Sequence, residues 1–271
     1  LDNGLTYYIR KNSEPENRAE LRLAVDVGSI MENDDQQGLA HFAEHMAFNG
    51  TENFERQEIV DYIESIGVRF GQHLNAYTSF DETVYMLQVP TDSAGMLETG
   101  IQILEEWAHR VSFTDDEIDK ERGVVVEEWR TGRDAGMRML DKQLPILFKD
   151  SRYAERLPIG KKEIIESFSY ETLRSFYRDW YRPELMAVIV VGDIDIATVE
   201  AEIKQRFSSI PTSPEDARKR RSYEVPGHAE PLYSIATDPE AQRNRISIMY
   251  KRPISDQNRE EAYRRSLDGA F

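Results

Sequence analysis

Histidine spacing points first to where this chain can do chemistry. Five histidines occur in 271 residues, and two stand four apart in the segment GLAHFAEHMAF, residues 38–48. On a helix, His41 and His45 project from one face, one turn apart. Two ring nitrogens so placed can meet one zinc ion at about 2.0–2.1 Å. Glu44, three residues after His41, borders that face, close enough to orient or deprotonate a metal-bound water. Two histidines on a half-buried helix can also be mere packing. Here Leu39, Phe42, Met46 and Phe48 can bury the helix and exclude water around an ion, which favours the metal reading.

A catalytic zinc site takes three protein ligands and keeps a fourth position open for water. The chain has no cysteine, so the third ligand must be a histidine or a carboxylate. The helix predicted over 115–130 offers Glu121, Glu127 and Glu128. Glu121 and Glu128 are seven apart and share one face, whereas Glu127 is turned about 100° from Glu128. Glu127, Asp115 and Asp116 are expected on a solvated face. Spacing alone leaves Glu121 and Glu128 both open. His73 and His109 are isolated and read as surface or packed residues, and Tyr77 and Tyr85 read as strand packing. The pattern H-x-x-E-H inverts the zincin helix motif.

These residues need elements to hold them. Leu5, Tyr7 and Ile9 alternate as in a strand, and Leu21, Leu23, Val25 and Val27 alternate more cleanly with Arg22, Ala24 and Asp26. An acidic turn over 32–35 leads into a helix predicted over 37–48, ended by Asn49-Gly50. A helix over 56–66 is followed by β-type runs at 68–77 and 83–89. A helix capped by Asp92 carries Leu97, Ile101, Leu104 and Ala108 on one face. Thr114 and Glu117 form a capping box for the helix bearing Glu121 and Glu128, and a polar helical pattern continues to about 148. A helix over 170–181, a buried strand over 185–191 and a helix over 196–207 follow.

Strands and helices mix without strict βαβ alternation, which predicts an α+β fold. The 39% hydrophobic content supports a real core. With 34 basic against 50 acidic residues the net charge is −16, which argues against nucleic-acid binding and docking on anionic lipid. No apolar run approaches the roughly 18 residues of a membrane span, and no signal peptide is present. Absence of cysteine removes disulfides and thiol nucleophiles and leaves the compartment open. The chain opens at Leu1 without Met and stops at Phe271 inside a helical pattern, so it reads as a piece of something longer. Pro211, Pro214, Pro226 and Pro231 bracket a basic stretch, a linker signature. The expected organisation is a domain over 1–210, a linker over 211–231, and the start of a second, truncated α+β unit over 232–271, with strands at 232–236 and 245–250.

HFAEH (41–45) followed by ERGVVVEEWR (121–130) resembles the pitrilysin/insulinase family of zinc peptidases, and NGLTYY (3–8), NAYTSFDETVY (75–85) and VVGDID (190–195) match it too. The resemblance covers essentially the whole chain. It implies a metallohydrolase domain of the LuxS/mitochondrial-processing-peptidase type, with a mixed, mostly antiparallel sheet packed with helices. It implies one Zn2+ held by His41, His45 and Glu128, with Glu44 as general base and Glu121 as a supporting acidic residue. The gap from His45 to Glu128 is longer than is usual in the family, and a strict count would fall near Glu121. The local motif selects Glu128, because an insertion in the intervening loops changes the count without moving the helix. Asn75, Ala76, Tyr77 and Thr78 resemble the edge strand that receives substrate backbone by β-strand addition.

By the same resemblance, the substrate is a peptide or small protein, and the partner is the C-terminal half of the same parent polypeptide. That half closes a chamber and supplies an Arg/Tyr pair, so this piece alone is expected to be weakly active or inactive. Membrane insertion is not expected. Bacterial members of this kind imply the periplasm or cell envelope. Two other readings stand beside this one. The lyase that cleaves S-ribosylhomocysteine shares the helix motif but needs a cysteine. A non-catalytic, peptide-binding or scaffolding member would typically lack a ligand or the base, and here His41, Glu44, His45 and Glu128 are all present.

Overall fold

Period-two alternation builds the sheet. In the computed structural model, which describes residues 1–251 apart from 57, 68–70, 72 and 94, five strands pair: β1 (Thr6–Lys11), β2 (Arg18–Val25), β3 (Leu74–Thr78), β4 (Thr83–Pro90) and β5 (Met186–Gly192). Their spatial order is β1-β5-β2-β4-β3. β1 runs parallel to β5, and every other neighbouring pair is antiparallel. Ala19, Leu21, Leu23 and Val25 of β2 and Met186, Val188 and Val190 of β5 turn to one buried face. β3 is an edge strand.

Eight helices accompany the sheet among the described residues: α1 (Leu39–Met46), α2 (Glu58–Ser65), α3 (Met96–His109), α4 (Asp115–Thr131), α5 (Ala135–Leu147), α6 (Lys162–Ser167), α7 (Tyr170–Trp180) and α8 (Ile196–Phe207). α3 lies across β2 and β4, and α8 packs on α3 and β1. α1 sits between β3, α4 and α7. The core fills the space between sheet and helices, with Trp107, Phe42, Phe176 and Phe207 fully buried. Side chains of this kind each contribute about 1.5–3 kcal/mol on burial. The architecture is the expected α+β one. Among the described residues no helix is long and apolar enough to cross a membrane.

Several elements depart from the sequence reading. The helix expected from Asp92 starts at Met96, after Gly95 in a left-handed conformation (φ +86°). The polar helical pattern to 148 divides at Gly132, and Asp134 caps α5 by accepting from Met137 N. α6 was not anticipated, because six residues are too few for a periodic signal. The run expected over 68–77 is strand from Leu74; residues 68–70 and 72 lie outside the described residues.

The strands expected at 232–236 and 245–250 are absent there, and Tyr233, Ile235, Ile246 and Ile248 are exposed. A strand exists through its ladder, and no described strand lies beside these segments. Instead 211–251 carries neither helix nor strand and is pinned by arginines. Arg218 Nη1 pairs with Asp179 at 3.2 Å, Arg220 Nε with Asp26 at 2.7 Å, and Arg138 Nη2 with Asp238 at 2.7 Å. Residues 252–271, the rest of the expected second unit, lie outside the described residues.

Candidate metal centre

Helix α1 is short and is fixed from all sides. Leu39, Phe42 and Met46 are fully buried. The Phe42 ring meets Phe168 edge-on at 4.9 Å, and Trp107 Nε1 donates to Ala47 O at 3.0 Å. The helix starts at Gly38, whose φ of +106° is left-handed territory that favours glycine. Gly160 lies against it, so closely that a Cβ there would stand 2.3 Å from Gly38 Cα. The first backbone donors are met by Glu32, whose carboxylate accepts from Gly38 N at 3.1 Å and Ala40 N at 2.8 Å. Those two donors are among the four that a helix start leaves without a partner. Burial nevertheless pushes the Glu32 carboxyl up to about 8, against the pull of those two bonds and of Arg156 and Arg152.

Helix α4 supplies the carboxylates. Thr114 caps it, its side chain accepting from Glu117 N at 3.3 Å. Ile118, Glu121 and Val125 are its buried residues. Arg122 ties it to α6 by donating to Ile165 O at 2.6 Å and Phe168 O at 2.7 Å. Glu127 points outward and pairs with Arg130.

The two helices bring four of the predicted residues together. His41 Nε2 and His45 Nε2 are 3.2 Å apart. Glu128 Oε2 stands 3.3 Å from His45 Nε2, and its Oε1 3.7 Å from His41 Nε2. Glu121 lies on the other side of the His45 ring, with Oε1 2.8 Å from Nδ1, while its Oε2 accepts from Asn49 Nδ2 at 2.5 Å. Two ligands at 2.0–2.1 Å from one tetrahedral ion lie about 3.3 Å apart. The two Nε2 atoms at 3.2 Å and Glu128 Oε2 at 3.3 Å from that of His45 match this spacing, and the same carboxylate comes to 3.7 Å from His41 through Oε1, so the donor set suits a zinc ion. His41, His45 and Glu128 are also the one cluster of three such donors among the described residues.

The two rings stand in opposite electrostatic settings. Burial, reinforced by the neighbouring His45, lowers the His41 imidazole to about 4, which keeps it neutral and its nitrogen lone pair available. Burial also pulls His45 down, but hydrogen bonds to Glu121 and Glu128 outweigh it and raise the ring to about 9. Two carboxylates thus draw positive charge to this point. The Glu121 bond fixes hydrogen on His45 Nδ1 and aims Nε2 at the cluster.

Glu44 is buried beside these side chains, and its Oε2 accepts from Thr78 Oγ1 at 2.5 Å. Burial pushes its carboxyl up. A cavity of about 640 Å³ joins the histidines and Glu44 to Asn75, Ala76, Tyr77 and Thr78 of β3. Ala76 and Thr78 are half-buried, whereas Asn75 and Tyr77 are exposed. Ala76 N–H donates to Asn75 Oδ1 at 2.9 Å rather than to a strand.

His109 sits apart from the centre, with Nδ1 3.2 Å from Glu105 O. Tyr85 is buried and stacks on Trp107 at 5.2 Å. Sequence reasoning passed over Glu32, Asn49 and the side chain of Thr78. Asn49 and Thr78 carried no signal, because their partners are 72 and 34 residues away.

The profile of the insulinase family (peptidase family M16) matches residues 7–151, and that of the M16 inactive domain matches residues 167–264. The chain is 42% identical over 268 residues, 98% of its length, to an Arabidopsis thaliana protein named zinc protease PQQL-like, of which it covers 28%. It is 38% identical to the probable zinc protease PqqL of Escherichia coli, matching 97% of this chain and 28% of that one. The crystal structure of the first half of the periplasmic protease PqqL from Escherichia coli superposes with a TM-score of 0.79 at 39% identity, covering 84% of this chain and 48% of that one. The chain thus spans little more than a quarter of the length of the curated relatives it matches.

Proposed function

The chain belongs to the insulinase family of peptidases, and from that premise we propose that it carries the catalytic centre of a zinc metalloendopeptidase. One Zn2+ is held by His41, His45 and Glu128. The observation that carries this reading is the convergence of two Nε2 atoms and one carboxylate, all within 4.8 Å of one another. The names of the relatives as zinc proteases support it.

His41, His45 and Glu128 would hold the ion, which would supply Lewis acidity, enough to bring the pKa of a bound water toward about 7. Glu44 accepts the proton of the attacking water and passes it to the leaving amine nitrogen. Glu121 holds the His45 ring through Nδ1. Asn75, Ala76, Tyr77 and Thr78 take the peptide substrate as an added strand on the open edge of β3. Its position as an edge strand beside the cavity supports that role.

In this reading 1–210 is the catalytic domain, 211–231 a linker and 232–271 the start of a second, similar domain. The partner is the remainder of a longer polypeptide, which completes the substrate chamber. The relatives' greater length supports this. The setting is the bacterial periplasm or envelope, supported by the Escherichia coli protein described as periplasmic; recovery from the cytosolic fraction would overturn it.

The test is peptide hydrolysis and metal analysis of the full-length polypeptide. Glu44→Gln is expected to keep one zinc per chain and lose hydrolysis by about 10²–10⁴-fold. His45→Ala is expected to lose the metal. The 271-residue chain alone is expected to turn over peptide far more slowly than the full-length protein. Hydrolysis by Glu44→Gln at the parent's rate removes Glu44 as the base, and equal turnover by the short chain removes the need for a second half.

A further inference from the structure

Hydroxyl groups connect the edge strand to the buried carboxylate of the metal helix. Thr78 Oγ1 donates to Glu44 Oε2 at 2.5 Å. Thr78 stands directly opposite Thr83 in the β3–β4 register, with the two hydroxyl oxygens 3.3 Å apart. Thr83 Oγ1 donates to the backbone carbonyl of Val27 at 3.0 Å. A hydroxyl has one hydrogen to give. Thr83 has given its own to Val27, so it faces Thr78 as an acceptor.

The Thr78 hydrogen therefore has two oxygens within reach. The carboxylate is nearer, and a hydrogen bond to an ionised acceptor is about twice as strong as a neutral one. Both residues are β-branched, which restricts χ1, and Thr83 is fully buried. With its hydrogen on Glu44 no hydrogen is left between the two threonine oxygens, so the Thr78 hydroxyl is placed by its strand register and its restricted χ1. Glu44 needs such a hold, because the terminal torsion of a glutamate is broad and does not select which oxygen faces a reactant. Among the described residues its Oε1 makes no hydrogen bond.

We propose that Thr78 is a positioning residue for the peptidase reaction: its hydroxyl, placed by the β3–β4 register, fixes Glu44 Oε2 so that Oε1 is the oxygen that takes the proton of the attacking water. The inference rests on the role assigned to Glu44 above. It gives β3 two tasks on one segment. The backbone receives the substrate, and the Thr78 side chain sets the base that acts on it, so substrate and base share one frame of reference.

Thr78→Val keeps the shape and the strand preference and removes the hydroxyl, whereas Thr78→Ser restores it. In the full-length polypeptide, Thr78→Val is expected to lower kcat about 10–100-fold, the scale on which a misplaced reacting group slows chemistry. KM is expected to shift by less than about twofold, and the zinc content to equal the parent's. Thr78→Ser is expected to stay within about threefold of the parent's kcat.

Parental kcat in Thr78→Val beside an inactive Glu44→Gln overturns this proposal and leaves the reading of Glu44 standing. Parental activity in Glu44→Gln overturns both. A Thr78→Val defect confined to KM makes the side chain a substrate contact and overturns the positioning role. If Thr78→Val loses its metal or its fold, Thr78→Ser decides: kcat within threefold supports the proposal, and a tenfold fall overturns it.

Discussion

The two helices of the metal centre are held by different means. α1 has eight residues and buries six of them, Glu44 among the apolar ones. α4 has seventeen residues, and Ile118, Glu121 and Val125 are the buried ones. An isolated eight-residue helix is unstable in water, so α1 exists because the core holds it. α4 is long enough to carry more of its own helicity and is tied at particular points, by Thr114, by Arg122 and by the Glu121–His45 bond. The ring positions differ in the same sense. His45 is fixed by a carboxylate on Nδ1, whereas Nδ1 of His41 is buried with no hydrogen-bond partner among the described residues, so the polar contacts of that ring lie on its Nε2 side only. Two proposed ligands and the proposed base thus stand on the helix whose place depends on the core, and the proposed third ligand stands, half-exposed, on the helix that can adjust.

Damage to α1 should therefore unfold the site, and damage to α4 should tune it. The largest expected effect is at Phe42, which is fully buried against Phe168. Phe42→Ala is expected to destabilise the domain by about 3–5 kcal/mol, read by urea denaturation. A loss below about 1 kcal/mol would mean that α1 does not depend on its apolar face, and the contrast would fail. Glu121→Gln tests the other side. It removes the charged acceptor on His45 Nδ1 and is expected to weaken zinc affinity 10–100-fold with little change in the urea midpoint, measured by competition with a chelator. Unchanged affinity would remove Glu121 from the centre.

What could be read from the sequence follows the same division. The helix period alone puts His41, Glu44 and His45 on adjoining parts of one surface, so that half of the site needed no three-dimensional knowledge. The seven-residue spacing of Glu121 and Glu128 was equally visible, but it brings both carboxylates to His45 and does not say which nitrogen each meets. They stand on opposite sides of the ring, at Nδ1 and Nε2, and only the distance between helices decides that. Glu32 was read as part of an acidic turn because its partners, Gly38 N and Ala40 N, lie beyond any local capping pattern. The alternation at Tyr233 and Ile235 was equally legible, but a strand needs a neighbour, which alternation does not supply. The sheet succeeded where this segment did not, because in β2, β4 and β5 each alternating run has its partner within the chain.

The smallest expected effect sharpens the contrast most. Thr114 caps the first turn of α4 through its bond from Glu117 N, and loss of such a cap costs about 1 kcal/mol. Asp115, Asp116 and Glu117 fill that turn with negative charge, which favours the positive end of the helix dipole and offsets part of the loss. Thr114→Ala should therefore lower stability by about 0.5–1 kcal/mol and move zinc affinity by less than about threefold. Glu121 lies two turns in and Glu128 four, and between Thr114 and Glu128 stands Arg122, bound to two carbonyls at the end of α6. If that anchor sets the register of α4, fraying ahead of it cannot reach the metal. A tenfold loss of zinc affinity in Thr114→Ala would show that it does, and the position of Glu128 would then depend on the whole length of the helix rather than on its tie to α6.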